Sequence, residues 1–311
     1  LILLIGVATA ARFIFGSYSA LIVTSFLTGF AIAIISPIIN AYIKETFKEK
    51  MAPVIGFYSF AIGGGATISA GFTGVFYDAT NDWKFAFAIW GLLAIFALVF
   101  WTLAVEKKKN DIHLEHAGKE EARNPWKNNL AWIIMIYFGL QTALFFSLTA
   151  WLSSMAMEQG ISLIVAGSVL TTMTVVQLIG NLAISSLVGK YPYLVAWLYG
   201  LIGLGAIGAL ILFIDTSWSI WAGAIILGGA LSGLFPIGLM LPLQEARNNR
   251  EANEWSSMVL SGGFMMSAIL PLVIGVVYDA TGTHFATKGI FVGLFVLMFI
   301  SIVFMQRAKR V

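Results

Sequence analysis

The side chains in this sequence that could do chemistry are set singly into apolar stretches, not gathered into a catalytic cluster. Tyr137, Gln141 and Phe145 stand four residues apart, and Thr174, Gln177 and Asn181 recur at i, i+3 and i+7. On a helix each set shares one face. Asn40, Ser36 and Tyr58 add polar groups in equally apolar surroundings. Such groups are costly in lipid, and they suit a site where a solute that sheds water finds replacement partners. They can also bridge neighbouring helices, which is the expectation for a lone Thr such as Thr174. Pro37 and Pro236 lie inside apolar runs. Proline removes a backbone donor and frees a carbonyl, so both are candidate gating kinks, with a purely structural kink as the alternative.

Other chemistries find no support. Glu158, Asp215, Asp78 and Asp279 sit near the ends of apolar runs, and no acid lies deep inside one. A proton-coupled site usually needs a buried titratable group. Arg12 is the basic residue expected to lie within the membrane. It reads as a snorkelling anchor, with an anion site as the alternative. His113 and His116 are spaced like a metal pair, yet they lie in a charged stretch without a third ligand, and His284 falls in a polar turn. No metal or cofactor is expected. Gly63-Gly64-Gly65 lacks the Lys and Ser/Thr of a phosphate loop. Neither a Ser-His-Asp arrangement nor an H-E-x-x-H motif is present, and with no cysteine there is no disulfide or thiolate site. An enzyme is not expected.

The elements that must position these residues follow from composition. The chain is 59% hydrophobic and only 11% charged, with a mean hydropathy of +0.90, against roughly 25% charged for a soluble domain. Runs near the 20 apolar residues or so that cross a bilayer fall at about 1–14, 18–43, 52–77, 84–105, 129–157, 161–189, 192–214, 218–243, 255–279 and 286–306. Backbone groups in hydrocarbon must be satisfied within a helix or a closed barrel, and the alternation of barrel strands is absent. The reading is an all-α membrane protein. If the segments alternate in direction, fifteen of the eighteen basic residues fall on one side, leaving Arg12, Lys84 and Lys288 on the other. Cytoplasmic loops carry the excess of Lys and Arg, so a multi-pass cell-membrane protein with its linker and C-terminus in the cytoplasm is expected. The net charge of +3 needs no nucleic-acid partner. The expected partners are the lipid bilayer and a small-molecule substrate.

An internal repeat organises the chain. GVFYDAT at 74–80 returns as GVVYDAT at 275–281, an offset of 201 (275 minus 74). Gly63-Gly64 pairs with Gly262-Gly263, and Pro37 with Pro236, each at an offset of 199. Duplication accounts for three landmarks at nearly one spacing. It makes residues 1–105 a partial N-terminal half of four helices, 106–128 a cytoplasmic linker and 129–311 a C-terminal half of six. About ten helices of a parent twelve are then present, in two pseudo-symmetric halves, the first two lying outside this sequence.

Two six-helix halves with a cytoplasmic linker resemble the major facilitator superfamily, whose halves rock around a central site. FGLQ at 138–141, AWL at 150–152, G-I-S followed by A-G within 160–167, I-K-x-x-F at 43–47 and Y-D-A-T-G at 278–282 look like the cyanate-permease family. The resemblance implies a secondary transporter, acting as a monomer, of a small anion or polar organic molecule, and it makes Gln141 of FGLQ the residue expected to touch the solute. That family's Asn-Arg pair in the first helix has no counterpart here. Segment 52–77 lacks the Gly-Pro pair of drug antiporters. Export of a small heteroaromatic compound and a channel are the alternatives.

Overall fold

A computed structural model of the chain describes residues 1–104 and 123–310. Most of the charged linker, with His113 and His116, lies outside the described residues. The rest is helical: α1 Ile2–Ile14, α2 Tyr18–Thr46, α3 Met51–Thr80, α4 Trp83–Ala88, α5 Gly91–Ala104, α6 Asn129–Glu158, α7 Leu163–Lys190, α8 Leu194–Ile211, α9 Ser217–Glu245, α10 Asn249–Thr281 and α11 Phe285–Arg310. No strand occurs among the described residues. Nine stretches there are long and apolar enough to cross a membrane, α1 being shorter. The segment expected at 84–105 is two helices that meet at Ile89 and Trp90, whose indole Nε1 donates to Thr73 Oγ1 at 2.9 Å.

Helix starts are set by side-chain caps. Asn128 Oδ1 accepts from Leu130 N at the start of α6, and Asn248 Oδ1 accepts from Glu251 N at the start of α10. Thr216 and Ser219 form a reciprocal capping box on α9. Each satisfies a backbone donor that the first helical turn leaves free. The Asn248 cap also lets the polar stretch 249–254 be helical, so α10 begins six residues before its apolar run.

The described residues form two compact units: 1–39 with 64–104, and 40–63 with 123–310. In the first, α1 packs on α4 and α5, where Gly6 and Gly91 let the backbones approach. A Cβ at Gly91 would lie 3.0 Å from the Gly6 carbonyl oxygen. In the second, α6 packs chiefly on α10, and α9 on α7 and α8. Gly139 and Gly263 face each other across the first of these seams, with Phe138 against Gly263.

The two repeat copies end alike. Asn81 and Gly282, again 201 apart, both have positive φ, +51° and +69°. Their N–H groups close the helices on the carbonyls of Tyr77 and Tyr278 at 2.7 Å, the left-handed C-cap that Gly and Asn adopt most readily. Thr80 and Thr281 hydroxyls each donate to the carbonyl four residues back, at 2.7 and 2.8 Å. The two helix ends are thus closed by the Thr of each copy and by the residue after it.

Beyond the second copy, the turn that reads as solvated is buried. His284 is fully buried and Lys288 is 4% exposed. The Glu158 carboxylate accepts the His284 backbone N–H (3.0 and 3.3 Å), and the imidazole nitrogens lie 3.2 Å from Thr287 Oγ1 and 3.0 Å from Ser154 Oγ. The ring stacks on Tyr278 with centroids 4.3 Å apart, and Lys288 pairs with Asp215. Burial lowers the His284 pKa; Glu158 raises it and Lys288 lowers it further. Above about 6.5 the imidazole is neutral in folded and unfolded chains alike; below that the unfolded chain takes up a proton that the folded one resists. Thermal unfolding in detergent should therefore show the melting temperature falling as the pH drops from about 7 to about 5, with His284→Gln flattening this dependence.

Candidate functional site

The polar groups singled out in the sequence gather mainly on α6 and α7 of the second unit, and Pro236 lies on α9. Proline at position 236 does not interrupt α9, which runs unbroken from Ser217 to Glu245. It does remove the N–H that would bond the carbonyl of Ser232, four residues back. Asn181, on α7 and 3% exposed, answers that loss. With its amide nitrogen directed toward α9, it donates to Ser232 O at 2.8 Å and to Gln177 O at 3.3 Å. From α6, the hydroxyl of fully buried Tyr137 donates to Leu234 O at 3.1 Å. The proline turn of α9 is thus held from two neighbouring helices. Gly180 of α7 lies against Ser232, and a Cβ at Gly238 of α9 would sit 3.1 Å from the Phe138 ring.

Gln141 lies one turn beyond Tyr137 on the same face and is 1% exposed. Its Nε2 donates to Thr142 Oγ1 at 2.6 Å, and that hydroxyl donates to Phe138 O at 2.7 Å. The Gln141 amide is therefore bonded within its own helix, with no cross-helix bond to Asn181 or Gln177. Phe145, half-buried, sits 5.4 Å from Phe146 between ring centres. Gln177 is half-buried and contributes its carbonyl to Asn181. Thr174 turns its hydroxyl onto Thr171 O at 2.9 Å, the local bond expected of a lone Thr. Tyr58 on α3 is half-buried, and Pro37 is buried within α2. Asn40 is fully buried, with neither its Oδ1 nor its Nδ2 bonded.

The structure adds residues that pattern reading passed over. Ser232 belongs to the proline turn, and the signal was available: a proline four residues on frees its carbonyl. Trp151, in the AWL motif, donates from Nε1 to Pro271 O at 3.0 Å and lies 5.7 Å from the His284 ring. Among the described residues no group of three His, Cys, Asp or Glu could hold a metal. Chemically, the arrangement consists of neutral amides and hydroxyls beside aromatic rings, bonded chiefly to helix carbonyls.

A double-mutant cycle tests the proline turn. Asn181→Leu should destabilise the protein by about 1 kcal/mol, the cost of an unpaired carbonyl tempered by the modest worth of interhelical bonds in membranes. In a Pro236→Ala background, where the restored N–H can serve Ser232, the same change should cost markedly less, read from unfolding midpoints in detergent.

Comparison with known proteins accords with this architecture. Residues 1–253 match the Major Facilitator Superfamily. The chain is 28% identical over 284 residues to the uncharacterized transporter YycB of Bacillus subtilis (strain 168), covering 90% of this chain and 69% of that protein. It is 26% identical over 287 residues to the cyanate transport protein CynX of Escherichia coli (strain K12), covering 91% and 73%. To the 2-nitroimidazole transporter of the same strain it is 22% identical over 257 residues, covering 82% and 64%. Among solved structures its fold is similar to that of the transporter FucP in the outward conformation, with a TM-score of 0.74 at 14% identity over 98% of this chain and 81% of that one. With a match that spans all but the last 58 of its 311 residues (311 minus 253), the chain belongs to the Major Facilitator Superfamily.

Proposed function

We propose that this protein carries a small anion or small polar organic molecule across the cell membrane by alternating access, with the linker and C-terminus in the cytoplasm. The observation that carries the reading is the buried polar face of α6 and α7, where Tyr137, Gln141 and Asn181 lie in helices otherwise apolar. A structural duty explains Tyr137 and Asn181, which hold α9. It does not explain Gln141, whose amide is bonded only to the adjacent Thr142. A buried amide turned back on its own helix can exchange that bond for one to a solute. Similarity to a cyanate transport protein supports a small anion as the solute. Similarity to a 2-nitroimidazole transporter favours a second reading, a small heteroaromatic compound.

The organisation proposed with it is a duplicated one. Residues 1–105 and 129–311 derive from two copies of a six-helix unit, and the carrier works as a monomer. The matching left-handed caps at Asn81 and Gly282 support that descent.

Full-length protein in proteoliposomes should show saturable uptake of one such solute, competed by its analogues. Gln141→Ala should lower that uptake by about tenfold, the equivalent of roughly 1.4 kcal/mol and within the range of a buried hydrogen bond, with the melting temperature near that of the parent. Undiminished uptake would assign Gln141 to packing, and no saturable uptake across small anions and heteroaromatics would defeat the carrier reading.

A further inference from the structure

The turn that follows the left-handed cap is built differently in the two copies of the repeat. With Asn81 aligned on Gly282, the positions of His284, Thr287 and Lys288 fall on Trp83, Ala86 and Phe87 (284, 287 and 288 minus 201). Those positions are apolar in the first copy, where Trp83 packs edge-on to Phe87 with ring centres 6.4 Å apart. The second copy builds the same place from ionisable groups. Glu158 at the end of α6, Asp215 in the turn before α9, and His284 and Lys288 at the start of α11 meet there beside Tyr278 of α10. Asp279, next to Tyr278, is exposed.

The imidazole is the member of this cluster whose charge changes near neutral pH. Neutral, it has one N–H to donate and one nitrogen to accept, and both face hydroxyls: Ser154 Oγ of α6 at 3.0 Å and Thr287 Oγ1 of α11 at 3.2 Å. The ring thereby ties the start of α11 to α6 while it stacks on Tyr278. Protonation upsets this arrangement. A positive charge then sits near Lys288 in a fully buried ring, and both nearby carboxylates are engaged, Asp215 by Lys288 and Glu158 by the His284 backbone N–H. Burial opposes the charged ring most, Glu158 favours it and Lys288 opposes it. A charged imidazole regains its hydration only by swinging out, which gives up the Ser154 bond and the Tyr278 stack.

We infer that the turn between α10 and α11 is a pH-sensitive clamp, closed onto α6 while His284 is neutral and released when acid on the side opposite the linker protonates it. The release is local. It frees one turn of the second unit, goes beyond the carrier reading and holds whatever the solute. Because protonation falls below the ordinary histidine range of about 6.5, the clamp stays shut at neutral pH and opens in acid.

The chain contains no cysteine, so one introduced cysteine can report the clamp in full-length protein in proteoliposomes equilibrated at each pH. Met155, 1% exposed, shares the α6 face of Trp151 and Glu158, at i+4 and i+7 from Trp151. The rate at which a small maleimide modifies Met155→Cys is divided by that at Ser19→Cys, exposed at the start of α2, to remove the thiol's own pH dependence. Between about pH 7.5 and about pH 5 the ratio should rise at least about fivefold, the low end of common couplings between states. With His284→Gln, whose amide keeps a donor and an acceptor but takes up no proton, it should stay low throughout. Glu158→Gln should move the midpoint of the rise to lower pH and Lys288→Met should move it to higher pH, opposite shifts that a merely structural role would not produce. A ratio that ignores pH in the parent would overturn the clamp, as would an equal rise with His284→Gln. So would midpoints that fail to separate in the two charge variants.

Discussion

Every backbone carbonyl inside an apolar helix needs a donor, and in the second unit that rule determines what surrounds α9. Water cannot repair a broken bond at membrane depth, so a proline there obliges a neighbour to help. Pro236 leaves Ser232 O free, and the donor is Asn181 of α7. Tyr137 of α6 adds a bond to Leu234 O two residues further on. At the end of the same helix, where the last turn always leaves carbonyls over, Lys44 and Arg123 do the equivalent work. Asn181, Tyr137, Lys44 and Arg123 thus all answer to the backbone of one helix.

That constraint works together with close packing. Lipid gives helices little hydrophobic reason to associate, so small residues that let backbones approach do much of the holding. Gly139 against Gly263, Gly180 against Ser232 and Gly56 against Ser185 mark the seams of α6 with α10, α7 with α9 and α3 with α7. The seams differ in polarity. Between α7 and α9 the buried amide is satisfied, whereas Asn40, Ser59 and Ser185 are not.

Much of this was legible in the residues. Length, hydropathy and the ban on unpaired backbone groups gave the helices, often to within a residue or two: 129–157 was expected where α6 runs from Asn129 to Glu158. Periodicity identified Tyr137 and Asn181 as buried face residues. Where the reading fell short, the reason was local chemistry or tertiary burial. Hydropathy saw α10 begin at 255, because it does not register that Asn248 caps a polar first turn. It saw one segment at 84–105, where the Trp90 indole reaches α3 at a break between two helices. His284 reads as a polar-turn residue and Lys288 as a charge on the far side, since a linear pattern cannot show that Glu158 and Asp215 are folded against them. Lys44 was counted among loop charges for orientation, though it is the last-turn residue that grips α9.

The proposed carrier presents its site to one side of the membrane and then to the other, and trans-acceleration tests that most directly. Vesicles containing the full-length protein are preloaded with unlabelled solute, and the initial entry of labelled solute is compared with that into empty vesicles. Alternating access predicts faster entry into the preloaded vesicles, because the loaded site returns more readily than the empty one. Entry that rises linearly with concentration and ignores the solute inside would indicate a continuous pore and contradict the account.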